Sequence, residues 1–150
     1  MKLNSWPKVV VIVLNWNGKD NTCECLESLR QVKYPNYGIV VVDNASTDGS
    51  QEFLKKNIPE ITLVENCRNL GFGGGLNVGI EEAMVRRADY VLCLNNDVIV
   101  DENILREFVK VGELSPKIGG LCPMEYCYEE PNRIICAGGA ISFFRGRVFG

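Results

Sequence analysis

Val9-Val10-Val11-Ile12-Val13-Leu14, broken by Asn15-Trp16-Asn17-Gly18, is the stretch on which the fold turns. A β-branched run without polar alternation is the pattern of a strand covered on both faces, which is typical of a parallel sheet. Outward from it the pattern recurs at Ile39-Val40-Val41-Val42, Ile61-Thr62-Leu63-Val64 and Tyr90-Val91-Leu92-Cys93-Leu94. Helical signals fill the gaps. Asn21 with Glu24 reads as a capping box opening a helix through Leu26, Leu29 and Val32, ended by Tyr34-Pro35-Asn36. Ser46 or Asp48 is placed to cap a short helix containing Phe53 and Leu54. After a glycine-rich loop, Leu76, Ile80, Ala83 and Met84 fall on one helical face, and Asp101 caps a helix presenting Ile104, Leu105, Phe108 and Val109. Such alternation predicts an α/β fold with a doubly wound, mostly parallel sheet in a single domain spanning residues 1–150. Beyond Ser115-Pro116 the regularity fades into a polar turn at Glu129-Glu130-Pro131-Asn132 and a strand-like segment from Ile134 to Phe144, whose open edge would favour a homo-oligomer.

Composition narrows the function. The 150 residues are 46% hydrophobic, enough for a core without disulfide or metal staples. A formal charge of −3 offers no basic footprint for a nucleic-acid backbone, so nucleic acid is excluded as a partner. The absence of His excludes Ser-His-Asp and Cys-His chemistry within these residues. Seven cysteines are an odd number without a C-x-x-C pair, which fits thiols in a reducing compartment. Cys93 is expected to pack as a small hydrophobe, and Cys23 and Cys25 to be structural residues of the first helix. The run from Val9 to Leu14 is far shorter than the roughly 20 residues of a membrane helix. A cytoplasmic location is expected, with peripheral membrane association only through segments absent from this sequence.

In open parallel sheets, ligands bind beyond the carboxyl ends of the strands, and the loops there are rich in polar residues. They read Asn15-Trp16-Asn17, Asp43-Asn44-Ala45-Ser46, Asn69-Leu70-Gly71-Phe72-Gly73-Gly74-Gly75 and Asn95-Asn96-Asp97, and should converge on one crevice. Asp43 is placed either to accept hydrogen bonds from a nucleoside or to form a turn with its own backbone. The Gly71–Gly75 loop could approach a phosphate, with Arg68 as counter-charge, or serve only as a flexible turn. Leu76 stands where a dinucleotide fingerprint needs its last glycine, which argues against an NAD-dependent oxidoreductase. Asn77 could face the loop or solvent. Asp97 could hold Mg²⁺ or Mn²⁺, with water and diphosphate as the other ligands, and that cation would neutralise a diphosphate approaching an acidic protein. Trp16 could stack on a base or close the core, whereas Trp6 is expected to pack.

With Val9 to Asn17, Val41 to Ser50, Asn69 to Ile80 and Leu94 to Asp97 in this order, the chain resembles a family 2 glycosyltransferase, most closely the rhamnosyltransferase-like members. The resemblance spans most of residues 9–145. It implies a GT-A fold, a nucleotide-diphosphate-sugar donor, a divalent cation (Mg or Mn), a glycan or lipid-linked acceptor, and inversion by direct displacement. It carries nucleoside contacts onto Leu14, Asn15, Trp16 and Asp43, and a donor-side loop onto Asn69, Gly71 and Asn77. The metal motif falls on Asn95, Asn96 and Asp97, with Asp97 as the metal carboxylate. Asn95 and Asn96 stand where relatives often have acids. The catalytic base of such enzymes lies in an acidic motif expected after Gly150, so the sequence reads as the donor half of a longer, truncated enzyme. The alternative is a non-catalytic nucleotide-binding or interaction module.

Overall fold

The computed structural model describes residues 6–138, 140–142 and 147–149. The chain forms two compact units, Met1–Val109 and Lys110–Gly150. The first is built on a 4-stranded sheet of order β3-β2-β1-β4, with β1 Val9–Asn15, β2 Tyr37–Asp43, β3 Thr62–Glu65 and β4 Tyr90–Asn95. Every pairing is parallel, as the apolar runs predict. Helices α1 Lys19–Arg30, α2 Ser50–Asn57 and α3 Gly71–Val85 connect the strands, and α4 Ile104–Gly112 follows β4.

Strand alternation divides the core into two layers. Val9, Val11 and Val13 face Cys25, Leu26 and Leu29 of α1, Leu54 of α2, and Leu105 and Val109 of α4. Val10 and Ile12, with Val40 and Val42, face Ala83 of α3. Opposite faces are therefore covered by the helices that wind outward to β3 and by the helix that crosses back to β4. The winding reverses direction between β1 and β4, and such a switch point leaves a crevice at the carboxyl ends of the strands.

Four details depart from the sequence reading. The Gly71–Gly75 segment is the first turn of α3 and not a loop. Glycine disfavours helices by about 0.5–1 kcal/mol per residue, so propensity alone reads the segment as irregular. Packing decides otherwise. A Cβ on Gly79 would lie 2.5 Å from Ile12 Cγ2, and one on Gly75 2.5 Å from Leu14 Cδ1. The buried stripe is thus Gly75, Gly79 and Ala83, while Met84 is 71% exposed. Leu76 and Ile80 flank the stripe, half-buried.

The second departure is α1, which starts at Lys19 and ends at Arg30, before Val32, with no capping box at Asn21. Its first N–H, at Lys19, donates instead to Asp48 Oδ2 (3.1 Å), a cap supplied from a distant loop that local sequence cannot reveal. At α2 the N-cap position is Gly49, and neither Ser46 nor Asp48 occupies it; Asp48 Oδ1, one residue upstream, accepts from the first helical N–H, at Ser50 (3.0 Å). Third, β4 is covered on one side only. Leu92 and Leu94 pack on the α1 face while Val91, Cys93 and Asn95 are exposed, so Cys93 is not a core residue. Fourth, the strand expected from Ile134 to Phe144 is interrupted. In the second unit β5 Glu125–Tyr126 pairs antiparallel with β6 Ile134–Cys136, and β7 Ala140–Ser142 with β8 Arg147–Phe149. Residues 139, 143 and 144 of that expected strand lie outside the described residues. Trp6 packs as expected, edge-on to Tyr34 with ring centroids 5.2 Å apart.

Candidate functional site

Register brings the strand ends level. Asn15 pairs with Asp43 across β1 and β2, Leu14 with Asn95 across β1 and β4, and Asp43 with Glu65 across β2 and β3. The polar loops that follow therefore leave the sheet at one rim, and hydrogen bonds join them.

Asp43 is fully buried and anchors the network. Its Oδ2 accepts from Asn15 Nδ2 (2.7 Å), and its Oδ1 from the Ser46 N–H (2.8 Å) and Gln51 Nε2 (2.6 Å). A carboxylate only accepts, so Asn15 must present its NH2 to Asp43 and turn its carbonyl the other way. That carbonyl, Asn15 Oδ1, accepts from the Gly18 N–H (3.2 Å), Thr22 Oγ1 (2.9 Å) and Asn96 Nδ2 (3.1 Å). A buried asparagine thus spans the switch point. On the other side Asn44, also buried, gathers the third loop. Its Nδ2 donates to Asn69 Oδ1 (3.0 Å) and the Gly71 carbonyl (3.1 Å), and its Oδ1 accepts from Asn66 Nδ2 (3.0 Å) and the Leu70 N–H (3.1 Å). Among the described residues no buried side-chain nitrogen or oxygen lacks a partner.

The loops are held in costly backbone shapes. Asn17 and Ala45 sit at φ 52° and 63°, a region that non-glycine residues enter at a cost of about 1–2 kcal/mol. Hydrogen bonds pin both sides of Asn17, whose N–H donates to Ser46 Oγ (2.9 Å) and whose Oδ1 accepts from the Thr47 N–H (2.7 Å). Gly71 opens α3 at φ 74°, where its lack of Cβ is required. Among the described residues, two of the three left-handed non-glycine residues thus lie at this rim, the third being Arg87 (φ 57°) ahead of β4.

Of the residues singled out from sequence, Leu14 packs beneath Gly75 and Asn15 and Asp43 are interior supports. Asn69 and Gly71 border the Asn44 cluster. Trp16 is 58% exposed and does not close the core, which leaves its ring face available for stacking. Asn77 is exposed on α3, outside the network described above. Asn95, the last residue of β4, and Asp97 are exposed, whereas Asn96 is half-buried and turned inward. Burial, assisted by the negative charge of Asp97, pushes the Cys25 thiol up to about 11. It stays protonated and points at the Asn95 carbonyl (3.9 Å), which ties α1 to the turn that carries Asp97.

Sequence reasoning passed over Asn44, Thr22, Gln51 and the dual role of Asp48. Desolvation would raise the Asp48 carboxyl, but hydrogen bonds from the Ser50 hydroxyl and from the N–H groups of Lys19 and Ser50 outweigh it and hold the group below its ordinary range. An open polar recess of about 310 Å³, lined by Asn17, Gly18, Lys19, Asp20, Asn21 and Asp48, lies beside this cap. Among the described residues no three His, Cys, Asp or Glu side chains cluster to hold a metal ion. Asp97 presents a single exposed carboxylate after β4, a donor that would fit a cation completed by substrate oxygens and water and not a closed protein cage.

The sequence profile of glycosyl transferase family 2 matches residues 9–134. The chain belongs to that family. Among curated proteins it is similar to poly-beta-1,6-N-acetyl-D-glucosamine synthase of Staphylococcus aureus (strain MSSA476), 26% identical over 115 residues covering 75% of this chain and 27% of that protein. The Staphylococcus epidermidis protein of the same name is 27% identical over 109 residues, covering 71% of this chain and 26% of its own length. The chain therefore spans about a quarter of the curated relatives it matches.

Among solved structures it is similar to mannosyltransferase PcManGT from Pyrobaculum calidifontis in complex with GDP-Man and Mn2+. The TM-score is 0.69 at 28% identity, with 77% of this chain and 35% of that one covered. It also shares the fold of S. aureus TarS 1-349, solved with UDP-GlcNAc, at a TM-score of 0.62 and 24% identity, covering 77% of this chain and 37% of that one. The family 2 assignment and the GT-A fold implied by the sequence motifs both hold.

Proposed function

We propose that this family 2 chain supplies the donor-binding part of an enzyme that transfers a sugar from a nucleotide-diphosphate-sugar to a glycan or lipid-linked acceptor, with inversion at the anomeric carbon. The observation that carries the reading is the hydrogen-bonded rim itself. Asn15, Asp43, Asn44 and Asn96 join the loops after β1, β2, β3 and β4 at the switch point, and exposed Asp97 sits at its edge. Likeness to a mannosyltransferase holding GDP-Man and Mn2+ supports both the donor class and the cation. The names of the curated relatives support a place in polysaccharide or cell-wall synthesis.

In this reading Trp16 offers an aromatic face to the nucleobase, and Asn69, Gly71 and Asn77 border the sugar-diphosphate. Asp97 would hold Mg²⁺ or Mn²⁺, which when bound stabilises negative charge on the departing diphosphate. The rigid rim contributes by orienting the donor before reaction, which lowers the entropic part of the barrier. Seven free cysteines support a reducing, cytoplasmic setting. Among the described residues no helix is long and apolar enough to cross a membrane.

Thermal melts with Mn²⁺ and UDP, dTDP or GDP test this reading. A nucleotide held at about a hundred times its Kd stabilises the folded state by about 2.7 kcal/mol, a rise of several degrees. The rise is expected to need both Mn²⁺ and one preferred nucleotide, and to disappear in Asp97→Ala. Stabilisation by a nucleotide that is indifferent to Mn²⁺ and to Asp97→Ala would instead support a non-catalytic nucleotide-binding module. No shift with any nucleotide would refute donor binding by this chain.

A further inference from the structure

We infer that Asn96 is a positioning residue whose amide nitrogen sets the Asp97 turn against the β1–α1 corner, so that the asparagine in the middle of Asn95-Asn96-Asp97 is a requirement of this fold and not a lost acid. The inference rests on the reading of Asp97 as the cation ligand.

The amide nitrogen of Asn96 is aimed at acceptors. Its Nδ2 lies 3.1 Å from Asn15 Oδ1, 3.2 Å from the Gly18 carbonyl and 3.0 Å from Thr22 Oγ1. The orientation of this cluster is fixed from outside it. Asp43 accepts the NH2 of Asn15, which turns Asn15 Oδ1 toward Asn96. Thr22 has a single hydroxyl proton, directed to Asn15 Oδ1 (2.9 Å) or the Gly18 carbonyl (2.8 Å), which leaves a lone pair for Asn96. An aspartate at position 96 would bring a carboxylate against the Asn15 and Gly18 carbonyl oxygens, and the Thr22 hydroxyl could donate to it only by giving up its bond to one of them. The chain of orientation therefore runs from the buried Asp43 through Asn15 to Asn96, the residue before Asp97.

Gly18 makes room for this contact. A Cβ there would lie 2.3 Å from Asn96 Nδ2, and Gly18, at φ −135°, is outside the left-handed region that favours glycine. Gly18→Ala thus displaces the Asn96 amide without removing a polar group.

Mn²⁺ titrations of the full chain at saturating UDP or GDP, whichever stabilises the protein, separate the alternatives. Asn96→Asp is expected to weaken the apparent Mn²⁺ affinity by about tenfold or more. Gly18→Ala should weaken it in the same direction, and the double variant no further than the worse single one, because both act on one contact. Melting in the absence of metal and nucleotide reports folding separately. If position 96 were an eroded metal ligand, Asn96→Asp would tighten Mn²⁺ binding. Tighter binding, or unchanged affinity in Gly18→Ala, overturns the inference, and the glycine variant decides alone if Asn96→Asp does not fold. Asp97→Asn distinguishes the two levels: unchanged Mn²⁺ affinity in it refutes the cation site itself, whereas its loss beside unaffected Asn96→Asp and Gly18→Ala refutes only the positioning role.

Discussion

Asp43→Ala is expected to destabilise the protein by about 3–5 kcal/mol and to lower its melting temperature by roughly 10 °C or more, with or without nucleotide. The carboxylate is fully buried and receives Asn15 Nδ2, the Ser46 N–H and Gln51 Nε2. Truncation leaves these donors facing a void, and an unsatisfied buried donor costs about 1–3 kcal/mol. Asn15 would also lose the contact that fixes which end of its amide faces Gly18, Thr22 and Asn96. Urea or thermal unfolding reads the effect. A change below about 1 kcal/mol would mean that Asp43 is a free ligand group and not the support on which the rim is assembled.

Gly79→Val is expected to cost about 3 kcal/mol or more, at the upper end of what overpacking a tight core usually costs. A Cβ at this position would meet Ile12 Cγ2 at 2.5 Å, Val42 Cγ2 at 3.1 Å and Ile12 Cδ1 at 3.2 Å, and valine adds two methyl groups beyond it. Ile12 and Val42 lie on the two central strands and are themselves fully buried, so relief must come from shifting α3 off the sheet. Gly73→Ala is the matched control. No atom lies within 4 Å of a Cβ there, so the higher helix propensity of alanine should stabilise the protein by about 0.5–1 kcal/mol. Equal effects of the two substitutions would contradict the close approach of α3 to β1 and β2.

These two sites also mark how far the sequence could be read. The strands were legible because Val9–Leu14 and Ile39–Val42 carry no polar residue to place on a wet face, and both are buried in the sheet. β4 carries a similar apolar run yet lies on the side of the described sheet away from β2, with one face open, and periodicity cannot tell these situations apart. The glycine-rich segment was misread for a related reason, since its helical state comes from contacts with Leu14 and Ile12 and not from local preference.

At the site, the pooling of Asn, Asp and Ser after each strand pointed to the rim. The division of labour within it did not show. Asp43 read equally as a nucleoside acceptor or a turn former, and the structure shows the turn bond to the Ser46 N–H and an inward-facing carboxylate. Asn96 read as part of the metal motif and its amide is turned inward, and Asn44 has the same position in sequence as any turn residue. Local partners such as Ser46 and Gln51 hold Asp43, but the inward turn of Asn44 and Asn96 depends on partners 22 to 81 positions away, which no local pattern encodes.

The central claim is that the joined rim grips a nucleotide diphosphate through a cation at Asp97. Paramagnetic broadening of assigned backbone amides by substoichiometric Mn²⁺, with UDP or GDP present, tests it most directly. Broadening is expected to be strongest at Asn95, Asn96 and Asp97, to extend into the Asn15–Gly18 loop, and to vanish in Asp97→Ala. Broadening centred on carboxylates elsewhere in the chain, or unchanged in that variant, would contradict the account.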